Sequence, residues 1–115
     1  MKIKLKLIKR LFRVIRQTNF NSNSEIYIPF KTYVNILQII LCIDSELLEG
    51  FRIWSSTNNT ILFDYYTTSY SICSFDIHKD KFSLCLMKSN GVNIFVNKEK
   101  FSIKIIKEYL DEFKN

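Results

Sequence analysis

The spacing of apolar and polar positions changes several times along this chain, and each change marks an element. Ile8, Leu11, Phe12 and Ile15 recur at helical spacing while Lys9, Arg10, Arg13 and Arg16 take the other faces, which predicts a basic amphipathic helix ending near Gln17. Ahead of it, Ile3, Leu5 and Leu7 alternate with Lys2, Lys4 and Lys6, a two-residue period, and the first six residues read as an extended basic arm. Asn19–Ser24 is a turn cluster whose short polar side chains compete with helical hydrogen bonds. It releases the chain into a predicted strand, Glu25–Ile28, which Pro29 stops. From Phe30 to about Leu48 the apolar residues Val34, Ile36, Leu37, Ile40, Leu41, Ile43 and Leu47 give a broad helical face, and Gly50 is placed to end that helix or to follow it in a turn.

Beyond Gly50 the pattern becomes that of a meander. Arg52–Trp54, Ile61–Tyr66, Tyr70–Ile77, Lys81–Met87 and Val92–Val96 are β-branched or aromatic runs separated by polar breaks. Phe82, Leu84 and Leu86 alternate with Ser83, Cys85 and Met87, as expected of a strand with one buried face. The tail from Lys98 to Phe113 returns to helical spacing, with Phe101, Ile105, Tyr109 and Phe113 on one side. The expected fold class is α+β: an N-terminal α-β-α-β-β unit with helices on a small sheet, then a mostly β segment and a C-terminal helix. The expected organisation is an N-terminal subdomain over 1–66 and a shorter, mostly β subdomain over 67–115.

Charge sharpens this picture. The chain has 115 residues and a net charge of +6, yet residues 1–24 hold seven basic and no acidic side chains, leaving ten basic and eleven acidic for the rest. The basicity is therefore an N-terminal device. A concentrated positive field attracts polyanions, because each phosphate neutralised releases counterions. Composition points to origin rather than chemistry: there is no alanine, two glycines and one proline, against abundant Ile, Lys, Phe, Asn and Tyr. Those abundant residues are encoded by AU-rich codons, a bias shared by mitochondrial, plastid, endosymbiont and some phage genomes.

Catalytic chemistry finds little to work with. His78, the sole histidine, stands beside Lys79 and Asp80 in a predicted turn, where an exposed imidazole is expected. No P-loop, GxGxxG, GxSxG or HExxH motif occurs, and Asp44, Glu46 and Glu49 read as solvated surface. Cys42, Cys73 and Cys85 lack CxxC spacing and read as buried, reduced thiols. No metal, cofactor, small-molecule substrate or membrane span is expected; the longest apolar run, Val34–Ile43, is interrupted by Asn35 and Gln38. Tyr65, Tyr66 and Tyr70 have the chemistry to stack on bases and equally that of a strand near an aromatic core.

The order of landmarks resembles the small-subunit ribosomal protein S-eight family. Val14-Ile15-Arg16-Gln17 stands where that family has Arg-Ile-Arg-Asn at the end of a helix, and Pro29-Phe30-Lys31 follows at the separation of its Pro-Ser-Lys. Glu49-Gly50-Phe51 resembles its Glu-Gly-Phe, and Ser89-Asn90-Gly91-Val92-Asn93-Ile94-Phe95 resembles its Ser-Arg-Pro-Gly-Leu-Arg-Ile-Tyr. The chain departs from the pattern at Gln17, Phe30 and Asn90, and after Lys104 it has no counterpart of the family's Ser-Thr-Ser-Lys-Gly loop. The resemblance implies a C-terminally shortened, non-enzymatic constituent of a small ribosomal subunit, binding and stabilising its RNA. With the codon bias it implies a mitochondrial ribosome, with a plastid one as the alternative. Expected RNA contacts are Lys9, Arg10, Arg13 and Arg16 on the first helix, Lys31 at the start of the second, and the turn Lys88, Ser89, Asn90 and Gly91. Expected partners are small-subunit ribosomal RNA and neighbouring ribosomal proteins, one of them filling the place of the missing loop against the last strands and Ile105, Tyr109 and Phe113. The rival reading is a small protein inhibitor, of toxin-immunity or phage-encoded type, acting through its aromatic sheet face.

Overall fold

A computed structural model describes residues 2–66 and 71–115. Its elements are helices α1 (Lys2–Gln17), α2 (Phe30–Cys42), α3 (Ser45–Leu48) and α4 (Ile103–Lys114). The strands are β1 (Arg52–Ser55), β2 (Ile61–Tyr66), β3 (Ile72–Ile77), β4 (Lys81–Met87) and β5 (Asn93–Lys100). The architecture is α+β, as the periodicity predicts. The strands form one antiparallel meander in the order β1-β2-β3-β4-β5. Within it β2 and β3 pair antiparallel, Ile61 opposite Ile77 and Tyr66 opposite Ile72. Tyr70, the expected start of the third strand, lies outside the described residues.

Strand alternation builds the core directly. Ile53, Phe63, Phe75, Leu84 and Val96 are cross-strand neighbours in one row. Tyr65, Cys73, Leu86 and Ile94 form the next. Both rows face the helices, which contribute Leu7, Leu11 and Val14 from α1, Ile36, Ile39 and Ile40 from α2, and Ile106, Leu110 and Phe113 from α4. Stacked Phe51 and Phe63 rings, with centroids 4.5 Å apart, occupy its centre.

Two hairpins use the same turn chemistry. In Lys88–Val92 the Gly91 amide donates to the Lys88 carbonyl and the Lys88 amide to Val92, with Gly91 at φ +94. In Ser56–Thr60 the pattern repeats with Asn59 at φ +63. Each is a three-residue loop whose last position is left-handed, a conformation Gly and Asn adopt at least cost.

Five expectations are corrected. The basic arm is helical from Lys2: Ile3, Leu7, Leu11 and Val14 make a better helical stripe than the alternation makes a strand, and the cost is Leu5, left 51% exposed. Phe12, expected on the buried stripe, is exposed. Glu25–Ile28 is not a strand, because side chains satisfy its backbone where a neighbouring strand would. Asn19 accepts from the Ile28 amide at 2.9 Å and donates to the Ile28 carbonyl at 2.8 Å, while Asn59 accepts from the Tyr27 amide at 3.1 Å. The second helix breaks at Ile43, whose backbone is extended, and α3 starts anew after Asp44. At the C-terminal end, Lys98–Lys100 belong to β5, which carries a bulge opposite Ser83. There Lys98 takes φ +50 and its amide donates to the Ser83 hydroxyl at 3.0 Å.

Candidate nucleic-acid interface

Burial of Leu7, Leu11 and Val14 fixes the roll of α1, and with it the direction of every charge on the helix. Lys2, Lys6, Lys9, Arg13 and Arg16, spaced four and three residues apart, form one exposed ridge. Arg10 is half-buried and turns toward β1, lining a hollow with Gln17 and Trp54. On the other flank, Lys9, Arg13 and Arg16 border a groove of about 890 Å³ between α1, the loop after it and the first turn of α2.

The groove's remaining walls are aromatic. Phe12 is 59% exposed, Phe20 79%, Tyr27 68% and Phe30 79%, all within the same groove as the three cations. Its floor is held by a polar latch. The Thr18 hydroxyl donates to the Val14 carbonyl at 2.8 Å and meets the Tyr33 hydroxyl at 2.7 Å, which reaches Asn19 at 3.2 Å. Burial is the chief cause holding the Tyr33 phenol above its ordinary pKa, so it stays a neutral hydrogen-bonding partner. Since Asn19 also carries Ile28, this latch sets the positions of Phe20 and Tyr27 relative to α1. Exposed rings beside guanidinium and ammonium groups supply faces for bases and charges for phosphates.

Lys31 is not in that groove. It lines a separate hollow of about 550 Å³ with Lys79, Lys81 and Lys100. The turn Lys88–Gly91 lies at the opposite end of β4, and the Lys88 ammonium donates to the Glu112 carbonyl of α4 at 2.8 Å. A Cβ on Gly91 would meet nothing within 4 Å, so its positive φ accounts for the glycine. The structure thus brings together Lys9, Arg13 and Arg16, and keeps Lys31 and the turn apart from them. Sequence reasoning missed Phe12, Phe20, Tyr27 and Phe30 as surface groups. Phe20 between two asparagines and Phe30 directly after Pro29 were signals of aromatic rings in polar surroundings.

His78 is half-buried rather than exposed, its Nε2 lying 3.6 Å from the Asp76 carboxylate. Cys42 is exposed, against expectation, because it closes α2 on the side away from the core. Cys73 is buried, and burial pushes its thiol pKa well up. Among the described residues no cluster of His, Cys, Asp or Glu is arranged to hold a metal, and no helix is long and apolar enough to cross a membrane. Compared with protein-family models, with curated proteins and with solved structures, the chain gives no match.

Proposed function

We propose that this protein is a non-catalytic RNA-binding protein that holds single-stranded or looped RNA in the groove beside α1. The observation that carries the reading is the convergence of Lys9, Arg13 and Arg16 with four exposed aromatic rings in one groove. Looped RNA offers splayed bases to stack and phosphates to neutralise, which duplexes do not offer together. Two of the stretches that resemble the ribosomal S-eight family in spacing, Val14–Gln17 and Pro29–Lys31, border this groove through Ile15, Arg16 and, where the chain departs from the family's serine, Phe30. On that basis the proposed RNA is small-subunit ribosomal RNA, and the codon bias supports an organellar ribosome, mitochondrial in this reading with a plastid one as the alternative.

Binding of a labelled RNA loop, followed by fluorescence anisotropy across a salt series, tests the reading. Arg13→Gln with Arg16→Gln should lower the salt slope by about 1.4 units, at about 0.7 per lost phosphate contact on a single strand. Phe20→Ala with Phe30→Ala should weaken binding by about 1–3 kcal/mol per unstacked base and leave the slope alone. An unchanged slope in the arginine variant would count against α1. Co-sedimentation with small ribosomal subunits through a high-salt wash tests the ribosomal assignment.

A second reading has its own observation. Trp54, Tyr66 and Phe95 are exposed on the sheet face away from the helices, a surface of the kind a protein inhibitor presents. Replacing these three with serine leaves RNA binding intact under the first reading.

A further inference from the structure

The hollow around Lys31 has no role in the groove beside α1, yet it is the densest positive cluster outside that helix. Three segments distant in sequence form it: Lys31 in the first turn of α2, Lys79 and Lys81 at the β3–β4 turn, and Lys100 at the end of β5. All four lysines are exposed, and Asp80 is the one acidic residue lining the hollow with them. Among the described residues none of the four is within ion-pair distance of a carboxylate.

The placement is built rather than incidental. Asn35, fully buried beneath the hollow, donates through its amide nitrogen to the carbonyls of His78 at 3.0 Å and Lys79 at 2.9 Å. These two acceptors fix the amide's orientation and bolt the β3–β4 turn to α2. The Phe101 amide donates to the Asp80 carbonyl at 2.9 Å, which ties the end of β5 to the same turn. Lys81 and Lys100 then stand directly opposite each other on neighbouring strands. Like charges so placed repel, and a bound anion relieves the repulsion.

We propose that this hollow is a phosphate-binding site for the sugar–phosphate backbone of the same RNA whose bases occupy the groove beside α1. The inference rests on the RNA-binding reading and extends it to a second surface. The two surfaces adjoin on α2, because Phe30 lines the groove and Lys31, the next residue, lines the hollow. A strand leaving the aromatic rings crosses the N-terminal end of α2, where the helix dipole also favours phosphate, and arrives at the four ammonium groups.

The test is anisotropy with a labelled single-stranded RNA of about a dozen nucleotides, within the length such surfaces accommodate, over a salt series. The variant carries Lys79→Gln, Lys81→Gln and Lys100→Gln, exposed positions whose replacement leaves the core intact; circular dichroism and a melting curve verify the fold. We expect its salt slope to fall by about two units, at about 0.7 per phosphate, with at least tenfold weaker binding near physiological salt. Wild-type slope and affinity in this variant, while Arg13→Gln with Arg16→Gln still loses binding, would overturn the hollow and leave the groove standing. A wild-type protein that ignores RNA but co-sediments with phosphatidylglycerol vesicles would overturn both.

Discussion

Asp64 and Gly50 show how single positions constrain this molecule. Asp64 points to the outer sheet face yet is only 3% exposed, accepting from the Ser74 hydroxyl at 2.7 Å and the Tyr66 hydroxyl at 3.3 Å. Burial is the largest influence and raises its pKa above the ordinary 3.8, against the opposing pull of those two hydrogen bonds. A raised carboxylate holds its proton longer in the folded state than in the unfolded one. Its penalty is therefore absent below the unfolded value and grows as pH rises from there through the folded value. Asp64→Asn should melt above wild type at pH 7, with the difference vanishing below about pH 3.8. A variant that melts lower at pH 7 would mean that the hydrogen bonds to the ionised group outweigh its burial. Gly50 has φ +86, and a Cβ there would overlap the Tyr65 ring, which packs 5.4 Å from Phe51 and 5.3 Å from Phe113. Gly50→Ala should cost about 1–3 kcal/mol in chemical denaturation, whereas Gly91→Ala, strained but unobstructed, should cost less.

At the scale of elements, what was legible in the sequence depended on whether local spacing alone decided the structure. β2 and β4 match their predicted bounds because each has one buried face, and a register slip would expose that whole face. The residues before Ile8 satisfied two periods at once, and the packing of α1 against β1 and α2 chose the helix. Glu25–Ile28 looked like a strand because Ile26 and Ile28 alternate with Glu25 and Tyr27. What it lacks is a strand partner, and only tertiary structure reveals that Asn19 and Asn59 act instead. Asn19→Ala should therefore destabilise the fold by about 1–3 kcal/mol, the cost of leaving buried backbone groups unpaired. Faster hydrogen exchange at the Ile28 amide would be its local signature. β5 outran its predicted end because a bulge lets the strand continue past Val96 through charged residues, a feature apolar spacing does not report. The candidate site divided the same way. The cations of α1 were readable from charge alone, whereas the four aromatic rings and the Lys31 hollow depend on chain segments that meet only in the fold. The cross-strand pair in that hollow sets up an opposed effect. Lys100→Glu should stabilise the free protein by about 0.2–1 kcal/mol by replacing repulsion with attraction, while weakening RNA binding.

For the whole molecule, the deciding contact is made by the last helix on the middle of the chain. The sequence pattern put Ile105, Tyr109 and Phe113 on one face, awaiting cover from a neighbouring protein. In the structure α4 is rolled so that Ile106, Leu110 and Phe113 are buried, at i, i+4 and i+7, with Ile105 and Tyr109 on the flank. Phe113 closes the aromatic cluster against Phe51 and Tyr65. Next to it, the Lys114 ammonium donates to the Glu49 carbonyl at 2.7 Å and lies 4.5 Å from the Tyr65 ring centroid. Three helices thus share one face of the sheet, and α4 covers core that α1 and α2 leave open. Removing Phe113 opens a cavity beside Phe51 and Tyr65. Phe113→Ala should cost about 3–5 kcal/mol and Leu110→Ala about 2–5 kcal/mol, against the 5–15 kcal/mol that holds a typical domain. Ile105→Ala and Tyr109→Ala, made on the flank, should each cost clearly less in the same urea titrations. If the order is reversed, α4 docks by its other face.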